Sequence, residues 1–358
     1  MKTQISIIDY SILTPYGDNV NSLLNYLLLS PLKKHPSNYI NRIDNYNAND
    51  YLGEKGHKYF TTQTKYLLST IIPLWKKRRG IFEPEKLGIV TGTCFASIEN
   101  WVELGRNIQK GGYEEIPPMN SFNFSLNIPS SLASIKTQAQ ALNVTLTSGI
   151  STGYDAICFA LDNLRLNSVS NIITSGVEYI GEFILDKLIE EQNEQLFPKL
   201  SEGSLSILFS KKVEKDSMGV ITSYNSNFSP TIENVQNDYN YIVLYENINK
   251  TISEAMAQGV IDVVISATYG NNEIINLEKK VIHDILPNIP IIQFKVKLGE
   301  LLSLSGIMQY ILACNIIENP KLFTPINNNK VKNVLVTYMG VDGYIYSSII
   351  TKQYDIEI

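Results

Sequence analysis

The chain has 358 residues, 44% of them hydrophobic, so it is long enough to form one large core or two fused core-bearing domains. Its 30 basic and 35 acidic residues give a formal net charge of −5, which lacks the basic excess that binding to a phosphate backbone requires. We therefore expect no nucleic-acid partner.

The N-terminal segment does not have the pattern of a secretion signal. Met1 to Tyr10 alternate isoleucine with polar residues and lack a central apolar stretch and a small-residue cleavage site. No uninterrupted apolar run reaches the roughly 18 residues that a membrane-spanning helix needs. The sequence thus predicts a soluble, cytoplasmic protein that does not associate with membranes.

Cysteine and histidine residues are too few and too scattered for a metal centre. Cys94, Cys158 and Cys314 are odd in number and widely spaced, which fits neither a disulfide framework nor a CxxC site. The three histidines have no HExxH or paired spacing. We interpret the cysteines as reduced packing residues and expect neither a metal nor another cofactor.

Short β-branched segments alternate with longer segments of helical periodicity, a pattern typical of a layered α/β domain. In the first half of the chain, the predicted elements are strand Gln4–Asp9, helix Thr61–Lys76, strands Leu87–Thr91 and Asn143–Ser148, helix Ser151–Leu166, and strands Asn171–Gly176 and Leu205–Ser210. They contribute five strands.

The second half predicts five more strands. These elements are strands Gly219–Tyr224 and Asp262–Ala267, helix Leu277–Leu286, strand Pro290–Lys295, helix Gly299–Ile317, and strands Lys332–Tyr338 and Tyr344–Thr351, the last two joined by a hairpin around Gly340–Gly343. Tyr239–Glu246 is also strand-like but does not fit this count. A break near Lys211–Asp216 suggests a duplicated unit, with halves at residues 1–213 and 214–358. Because no linker rich in Pro, Gly or Ser separates them, we expect the halves to be fused.

Several segments, in the correct order, resemble motifs of the β-ketoacyl synthases. They are Leu13–Gly17, Gly88–Thr93, Asn127 with Pro129–Ser134, Ile150–Ala156, Gly176–Glu178, Ser201–Gly203, Ser266–Glu278, Lys295–Glu300 and Gly340–Gly343. The resemblance covers nearly the whole chain. It implies an α/β thiolase fold, with a duplicated five-layered αβαβα core formed by two fused halves.

The resemblance also implies a catalytic set of one cysteine and two histidines, supported by a lysine. The cysteine lies at a strand-to-helix elbow, where the helix N-terminus favours a thiolate and backbone N–H groups bind the oxyanion of acyl transfer. The histidines donate hydrogen bonds to the thioester oxygen of a malonyl unit, which stabilises the charge that develops during decarboxylation.

This chain departs from the family at all three catalytic positions. Ile150 replaces the cysteine, Ala267 the first histidine and Glu300 the second, while Lys295 and Glu278 match the retained Lys and Glu. Isoleucine cannot attack a thioester, a methyl group has no donor, and a carboxylate beside a developing enolate raises the barrier. We expect a degenerate ketosynthase subunit with no condensing activity of its own.

Among ketosynthase relatives, this pattern resembles the chain-length-factor subunits of type II polyketide synthases and of aryl polyene systems. The resemblance implies a heterodimer with an active ketosynthase, an acyl pocket at the shared interface, and an acyl carrier protein as a further partner. The predicted interface is the strand Asn143, Val144, Thr145, Leu146, Thr147 and Ser148, which in family members pairs across the dimer axis. Unpaired, this nearly uncharged segment would be an exposed edge of the kind that soluble proteins avoid.

Two other functions stay open at this stage. Glu300 and Lys295 could form the rebuilt site of an independent acyl-transfer or hydrolytic enzyme, or the chain could be a homodimeric acyl-binding scaffold. A Ser–His hydrolase built from His283 and a serine near the elbow lacks the G-x-S-x-G spacing. We favour structural roles, with Glu300 satisfying free N–H groups at a helix start and Lys295 forming an ion pair with Glu300 or Glu278.

Two further features have a structural and a functional interpretation. The basic run Lys76–Arg79 closes a predicted helix, where cations complement the helix dipole, but it could also attract an acidic carrier protein. The aromatic segments Phe122–Phe124 and Tyr338–Tyr346 could line a lipid-like tunnel, although aromatic residues at this density are more often core.

Overall fold

A computed structural model of the chain describes residues 4–30, 40–116, 118–167, 169–191, 199–214, 216–230, 238–255, 260–322 and 330–353. Ten strands form one mixed sheet and two short strands form a separate pair. The strands are β1 (Ile5–Leu13), β2 (Ile40–Asn41), β3 (Leu87–Gly92), β4 (Asn143–Leu146), β5 (Asn171–Glu178), β6 (Leu200–Ser201), β7 (Gly203–Ser210), β8 (Gly219–Phe228), β9 (Val263–Ser266), β10 (Ile291–Gln293), β11 (Asn333–Met339) and β12 (Tyr344–Thr351).

The large sheet consists of two sets of five strands with the same topology. Its order is β10-β9-β11-β12-β8-β1-β7-β5-β3-β4, so in each set the first strand is followed by the fifth, fourth, second and third. The parallel and antiparallel pairings also correspond, and the sets meet where Ile5–Ile7 pairs with Gly219–Ile221. The expected duplication is therefore present in the topology. The division at residues 213 and 214 stays a prediction.

Eleven α-helices in the described part of the chain cover the sheet. They are α1 (Val20–Leu29), α2 (Asn49–Leu52), α3 (Thr62–Arg78), α4 (Ile98–Gly111), α5 (Ile128–Thr137), α6 (Thr152–Arg165), α7 (Glu182–Glu191), α8 (Asp238–Ala255), α9 (Asn272–Ile285), α10 (Lys295–Leu298) and α11 (Ser305–Glu318). None of these described helices is both long and apolar enough to cross a membrane.

The helices and strands form the five expected layers. Helices α3 and α5 cover the outer face of the first strand set, and α8 and α9 cover the outer face of the second. Helices α6 and α11 pack against each other between the two sets. Every residue of α11 except Glu318 is buried, because both of its sides face a sheet. This is the predicted αβαβα architecture.

All ten predicted strands are present, but one predicted element and several predicted boundaries are wrong. The interface strand predicted at Asn143–Ser148 ends at Leu146, so Thr147 and Ser148 lie outside it. The strand-like segment Tyr239–Glu246 is helical and lies in α8, whose buried side chains recur at helical spacing through Leu244, Ile248 and Ala255. The helix predicted from Gly299 begins only at Ser305, after a 3-10 turn. The strand predicted at Pro290–Lys295 is shorter, and Lys295 instead begins α10.

Candidate functional site

Two equivalent connections, one from each strand set, carry most of the candidate site. The connection from β4 to α6 holds Ile150, and the connection from β10 to α11 holds Lys295 and Glu300. Each follows the third strand of its set and leads into a middle-layer helix. Because α6 and α11 pack together, the two connections meet at the same end of the core.

A glycine-dependent contact shows how closely the two connections approach each other. The carbonyl oxygen of Ser303 would lie 2.1 Å from a Cβ atom built on Gly153 and 2.4 Å from one built on Gly176. Any side chain at either glycine would collide with this backbone, because real Cβ contacts are far longer. The neighbouring Leu302 has a left-handed backbone with φ of 50°, which is uncommon for leucine.

Ile150 lies at the predicted strand-to-helix elbow, immediately before Ser151, the residue that precedes α6. Its half-buried side chain packs against an apolar cluster that is separate from the main cores. This cluster contains Ile40, Ile180, Ile184, Leu200 and Leu302, with Cys94 and Phe95 at its margin. The position that the sequence predicts for a nucleophile therefore holds a hydrocarbon side chain in an apolar environment.

Ser151 is the nearest hydroxyl to this position along the chain, and it is held by a carboxylate. Its Oγ atom lies 2.6 Å from Oδ2 and 2.9 Å from Oδ1 of Asp342, and 3.2 Å from the hydroxyl oxygen of Tyr338. The side chain of Ser151 is buried. Its position between Asp342 and Tyr338 ties the start of α6 to the loop between β11 and β12.

Lys295 and Glu300 form a buried ion pair. The Nζ atom of Lys295 donates to both carboxylate oxygens of Glu300, at 2.7 and 2.9 Å. Oε1 of Glu300 also accepts the backbone N–H of Leu302 at 2.8 Å and the hydroxyl of Ser305 at 3.1 Å. Gly299, with φ of 76°, reverses the chain so that Glu300 can reach back to Lys295.

The electrostatics of this pair agree with a structural role. Burial lowers the pKa of Lys295, and the negative charges of Glu300, Asp342 and Glu278 oppose this shift. Lys295 therefore pairs with Glu300, and the suggested Lys295–Glu278 pair is wrong. Glu278 instead accepts a hydrogen bond from the hydroxyl of Ser266 at 2.5 Å, and burial raises its pKa.

Ala267 directly follows β9 and is fully buried. Its backbone N–H donates to the carbonyl oxygen of Thr337 at 3.0 Å, next to Tyr338 of the site. The side chain at this position is a methyl group, which offers no hydrogen-bond donor to a substrate.

Glu178 is a site residue to which the sequence assigned no role. Its carboxylate accepts the N–H groups of Cys94 at 2.6 Å and Phe95 at 3.4 Å, which joins the ends of β5 and β3. Burial raises the pKa of Glu178 to about 7, and hydrogen bonds from Ser303, Cys94 and Phe95 oppose the shift. The Gly176–Glu178 motif was the signal that could have identified it. The matched loop Gly340–Gly343 likewise contains Asp342, to which the sequence assigned no role.

His283 and a serine near the elbow do not form the Ser–His pair that the sequence left open. His283 lies on α9 in the outer layer, largely exposed beside Asp284, whereas the hydroxyl of Ser151 is bound to Asp342. In the described ranges, no group of three or more His, Cys, Asp or Glu side chains could hold a metal ion.

The basic run lies far from the candidate site. Gln63, at the start of α3, donates to the hydroxyl of Thr93 next to the site, whereas the run closes the other end of this 17-residue helix, about 25 Å away. Lys77 and Arg78 both pair with Asp9, at 2.8 and 2.7 Å. These contacts give Lys77 and Arg78 a structural role, and the attraction of a carrier protein to the run stays a prediction.

Comparison with known proteins identifies the fold. No family model and no curated protein matches the chain. Among solved structures, a type II polyketide ketosynthase in complex with its acyl-carrier protein is 14% identical, with a TM-score of 0.79 over 98% of this chain and 99% of that chain. The ishigamide ketosynthase/chain length factor is 15% identical, with a TM-score of 0.75 over 97% and 99%. A ketosynthase in complex with its chain length factor from Xenorhabdus doucetiae is 15% identical, with a TM-score of 0.73 over 98% of both chains. The chain therefore has the thiolase fold that ketosynthases and chain length factors share.

Proposed function

We propose that this chain is a non-catalytic, chain-length-factor-like subunit that pairs with an active β-ketoacyl synthase in the synthesis of a polyketide or polyene. The observation that carries the proposal is the ion pair between Lys295 and Glu300. Glu300 stands where the resemblance implies a histidine donor, and both of its carboxylate oxygens accept hydrogen bonds from Lys295. The Glu300 carboxylate in this pair only accepts hydrogen bonds, so it has no donor to offer a thioester.

The other two positions support the same conclusion. Ile150 has no nucleophilic atom, and Ala267 has no donor. Ser151 lies next to the elbow, but its hydroxyl is buried against Asp342 and Tyr338. An independent enzyme that used Lys295 and Glu300 would first have to break this buried pair, at a cost of several kcal/mol.

The open edge of the sheet supports the partnership. β4 is the last strand in the sheet order, and no described strand pairs with its other side. Because an unpaired, uncharged edge is a site of association, we expect a second chain to cover it. Two of the similar structures are described as pairs of a ketosynthase and a chain length factor, and a third as a complex with an acyl-carrier protein. In the proposed complex, this chain contributes one wall of the acyl pocket of its partner.

Co-expression tests this function. We expect the chain to co-purify at 1:1 stoichiometry with a ketosynthase from the same genome that retains its cysteine and both histidines, and we expect the pair to elongate acyl chains on a carrier protein. Size-exclusion chromatography and product analysis by mass spectrometry are the readouts. A stable homodimer that binds no such ketosynthase would favour the function as an acyl-binding scaffold. Unchanged products from the ketosynthase alone would refute the proposal.

A further inference from the structure

Glu178 is a buried carboxylate that contacts two separate connections of the chain. It is the last residue of β5, and it accepts the N–H groups of Cys94 at 2.6 Å and Phe95 at 3.4 Å in the connection from β3 to α4. Ser303, in the connection from β10 to α11, also hydrogen-bonds to this carboxylate, and its hydroxyl donates to the carbonyl oxygen of Val177 at 3.5 Å. One side chain therefore ties both connections to the end of β5.

Each of the two connections contains a residue in a strained backbone conformation. Ala96 has φ of 49° and Leu302 has φ of 50°, in the left-handed region that a Cβ atom disfavours. The other described non-glycine residues with positive φ are three asparagines and a glutamine. Asparagine tolerates this conformation, whereas alanine and leucine have no polar side chain that could stabilise it. The surrounding contacts must therefore hold both connections in place.

The negative charge of ionised Glu178 has no cation beside it. Among the described residues no ion pair includes Glu178, and Lys295 is bound to both oxygens of Glu300. The other charged groups act on Cys94 and Tyr179, which lie next to Glu178, from every neighbouring element. They are Glu300, Asp342, Glu99, Glu182, Glu202 and Arg42. All but one are carboxylates, and Arg42 is already paired with Glu182.

From this geometry we propose that Glu178 is a pH-sensitive switch: its neutral form keeps both connections closed over the apolar cluster against which Ile150 packs, and its ionisation opens them to water. The proposal goes beyond the proposed function and does not depend on a partner chain. Closed connections bury the carboxylate, whereas open connections hydrate it, and an unpaired charge gains most from hydration. Release of the strain at Ala96 and Leu302 favours the same movement.

The direction of the pH response follows from burial. Burial raises the pKa of Glu178 from 4.5 to about 7, and the hydrogen bonds from Cys94, Phe95 and Ser303 oppose this shift without cancelling it. The closed state therefore holds the proton more tightly than an open, hydrated state does. Its stabilisation is complete below about pH 4.5 and is lost as the pH rises through about 7. We thus expect the connections to open on the alkaline side of neutral pH.

Hydrogen–deuterium exchange of the full chain tests the switch. The readout is the protection factor of residues 94–97 and 302–303, since dividing by the intrinsic exchange rate removes the pH dependence of the exchange chemistry. In the wild type we expect protection to be about tenfold lower at pH 8 than at pH 5.5, because the opening equilibrium changes by up to tenfold per pH unit between the two pKa values. In Glu178→Gln, which cannot ionise, protection should be the same at both pH values.

Glu202→Gln is the matched control. Glu202 is a second buried carboxylate whose pKa burial raises, but it accepts hydrogen bonds from the N–H of Ile43 and the hydroxyl of Tyr66, which lie outside both connections. This variant should keep the pH response of the wild type.

Ala96→Gly keeps Glu178 and provides a second test, which is needed if Glu178→Gln does not fold by circular dichroism. Glycine adopts a positive φ without strain, so the closed state should become more favourable. We expect the protection of residues 94–97 at pH 8 to rise severalfold. Unchanged or lower protection would contradict the part that the strained connection plays in the switch.

The remaining outcomes also decide the proposal. Equal protection of the wild type at both pH values, a wild-type response in Glu178→Gln, or the loss of the response in Glu202→Gln would each overturn it. At pH 8 the two segments should also exchange faster than the amides of β11, because they open within a folded chain. Equal rates would mean that the whole protein unfolds and that no local switch exists. Because the test uses this chain alone, its failure leaves the proposed partnership with a ketosynthase untouched.

Discussion

The Nζ atom of Lys295 lies 2.7 Å from Oε1 of Glu300, and each of these buried residues is the main charge partner of the other. Removing one partner leaves an uncompensated charge in the core, which typically costs about 3–5 kcal/mol, whereas replacing both with apolar residues is often neutral. We therefore expect Lys295→Met and Glu300→Leu each to lower the free energy of unfolding by about this amount. The double variant should recover most of the loss.

Urea unfolding of the four proteins in this double-mutant cycle measures the coupling. The exposed pair Lys187–Glu190 provides a control, since Lys187→Met should change stability far less. Independent, additive effects of Lys295→Met and Glu300→Leu would contradict the structural role of the pair.

The purified chain should not become acylated when it is incubated with an acyl-carrier substrate. Ile150 cannot attack, Ser151 is buried against Asp342, and burial raises the pKa of Cys94, which keeps this neighbouring thiol protonated. Intact-protein mass spectrometry should show an unchanged mass, with an active ketosynthase as the positive control. A stable adduct mapped to residues 148–152 would show that the elbow retains a nucleophile.

Restoring the nucleophile alone should not restore condensation. In Ile150→Cys, Ala267 and Glu300 still leave the developing enolate without donors, and the loss of one oxyanion donor typically lowers the rate by around 10²–10³. The variant could accept an acyl group, but we expect no elongated product by mass spectrometry. Substantial elongation would mean that the histidine positions have been assigned to the wrong residues.

The stability of the protein should depend on the ionisation of Glu178. Burial raises its pKa from 4.5 to about 7, so the folded state binds the proton more tightly than the unfolded state does. The stabilisation from this protonation is complete below about pH 4.5 and is lost as the pH rises through about 7. The full change in the free energy of unfolding is about 3 kcal/mol, because a tenfold change in proton affinity corresponds to about 1.4 kcal/mol.

Glu178→Gln removes this ionisation and provides the comparison. Urea unfolding between pH 4.5 and pH 8 should show the wild type losing stability relative to the variant across this range. Glu278, whose pKa burial also raises, is present in both proteins and cancels in the difference. A constant difference between the two proteins at every pH would contradict the raised pKa.

The strand set was predictable because buried strands have a strong local signature. In β5 and β11 every residue is buried, and such β-branched segments are evident without any knowledge of their neighbours. The prediction of a strand at Tyr239–Glu246 was wrong because a few apolar residues fit a strand and a helix equally well. Only the longer pattern of α8 distinguishes the two. Strands β2 and β6 have two residues each and carry no periodic signal.

The sequence predicts which positions depart from the catalytic set of the family, but not the contacts that the residues at these positions make. The assignment of Ile150, Ala267 and Glu300 to these positions comes from motif spacing, which places one residue at a time, and stays a prediction. Whether Lys295 pairs with Glu300 or Glu278 depends on the turn at Gly299, which only three-dimensional geometry shows.

The last prediction concerns the open edge of β4 and the backbone N–H of one of its residues, Thr145. The carbonyl oxygens of Leu142 and Leu146 accept N–H groups from the neighbouring strand β3 and its continuation. Because backbone groups alternate in direction along a strand, the N–H of Thr145 faces the open edge. Thr145→Pro removes this donor, and proline is tolerated in an edge strand whose N–H faces solvent. We expect the variant chain to fold but to lose its complex with the ketosynthase, as measured by size-exclusion chromatography. Thr145→Val is the matched control, since it keeps the N–H and should retain the complex.

A second variant tests the same edge. Val144→Lys places a charge beside it and should also abolish the complex and the long-chain products together. If Thr145→Pro pairs as well as the wild type, the partner does not extend the sheet at β4, and the heterodimer would have to form through another surface.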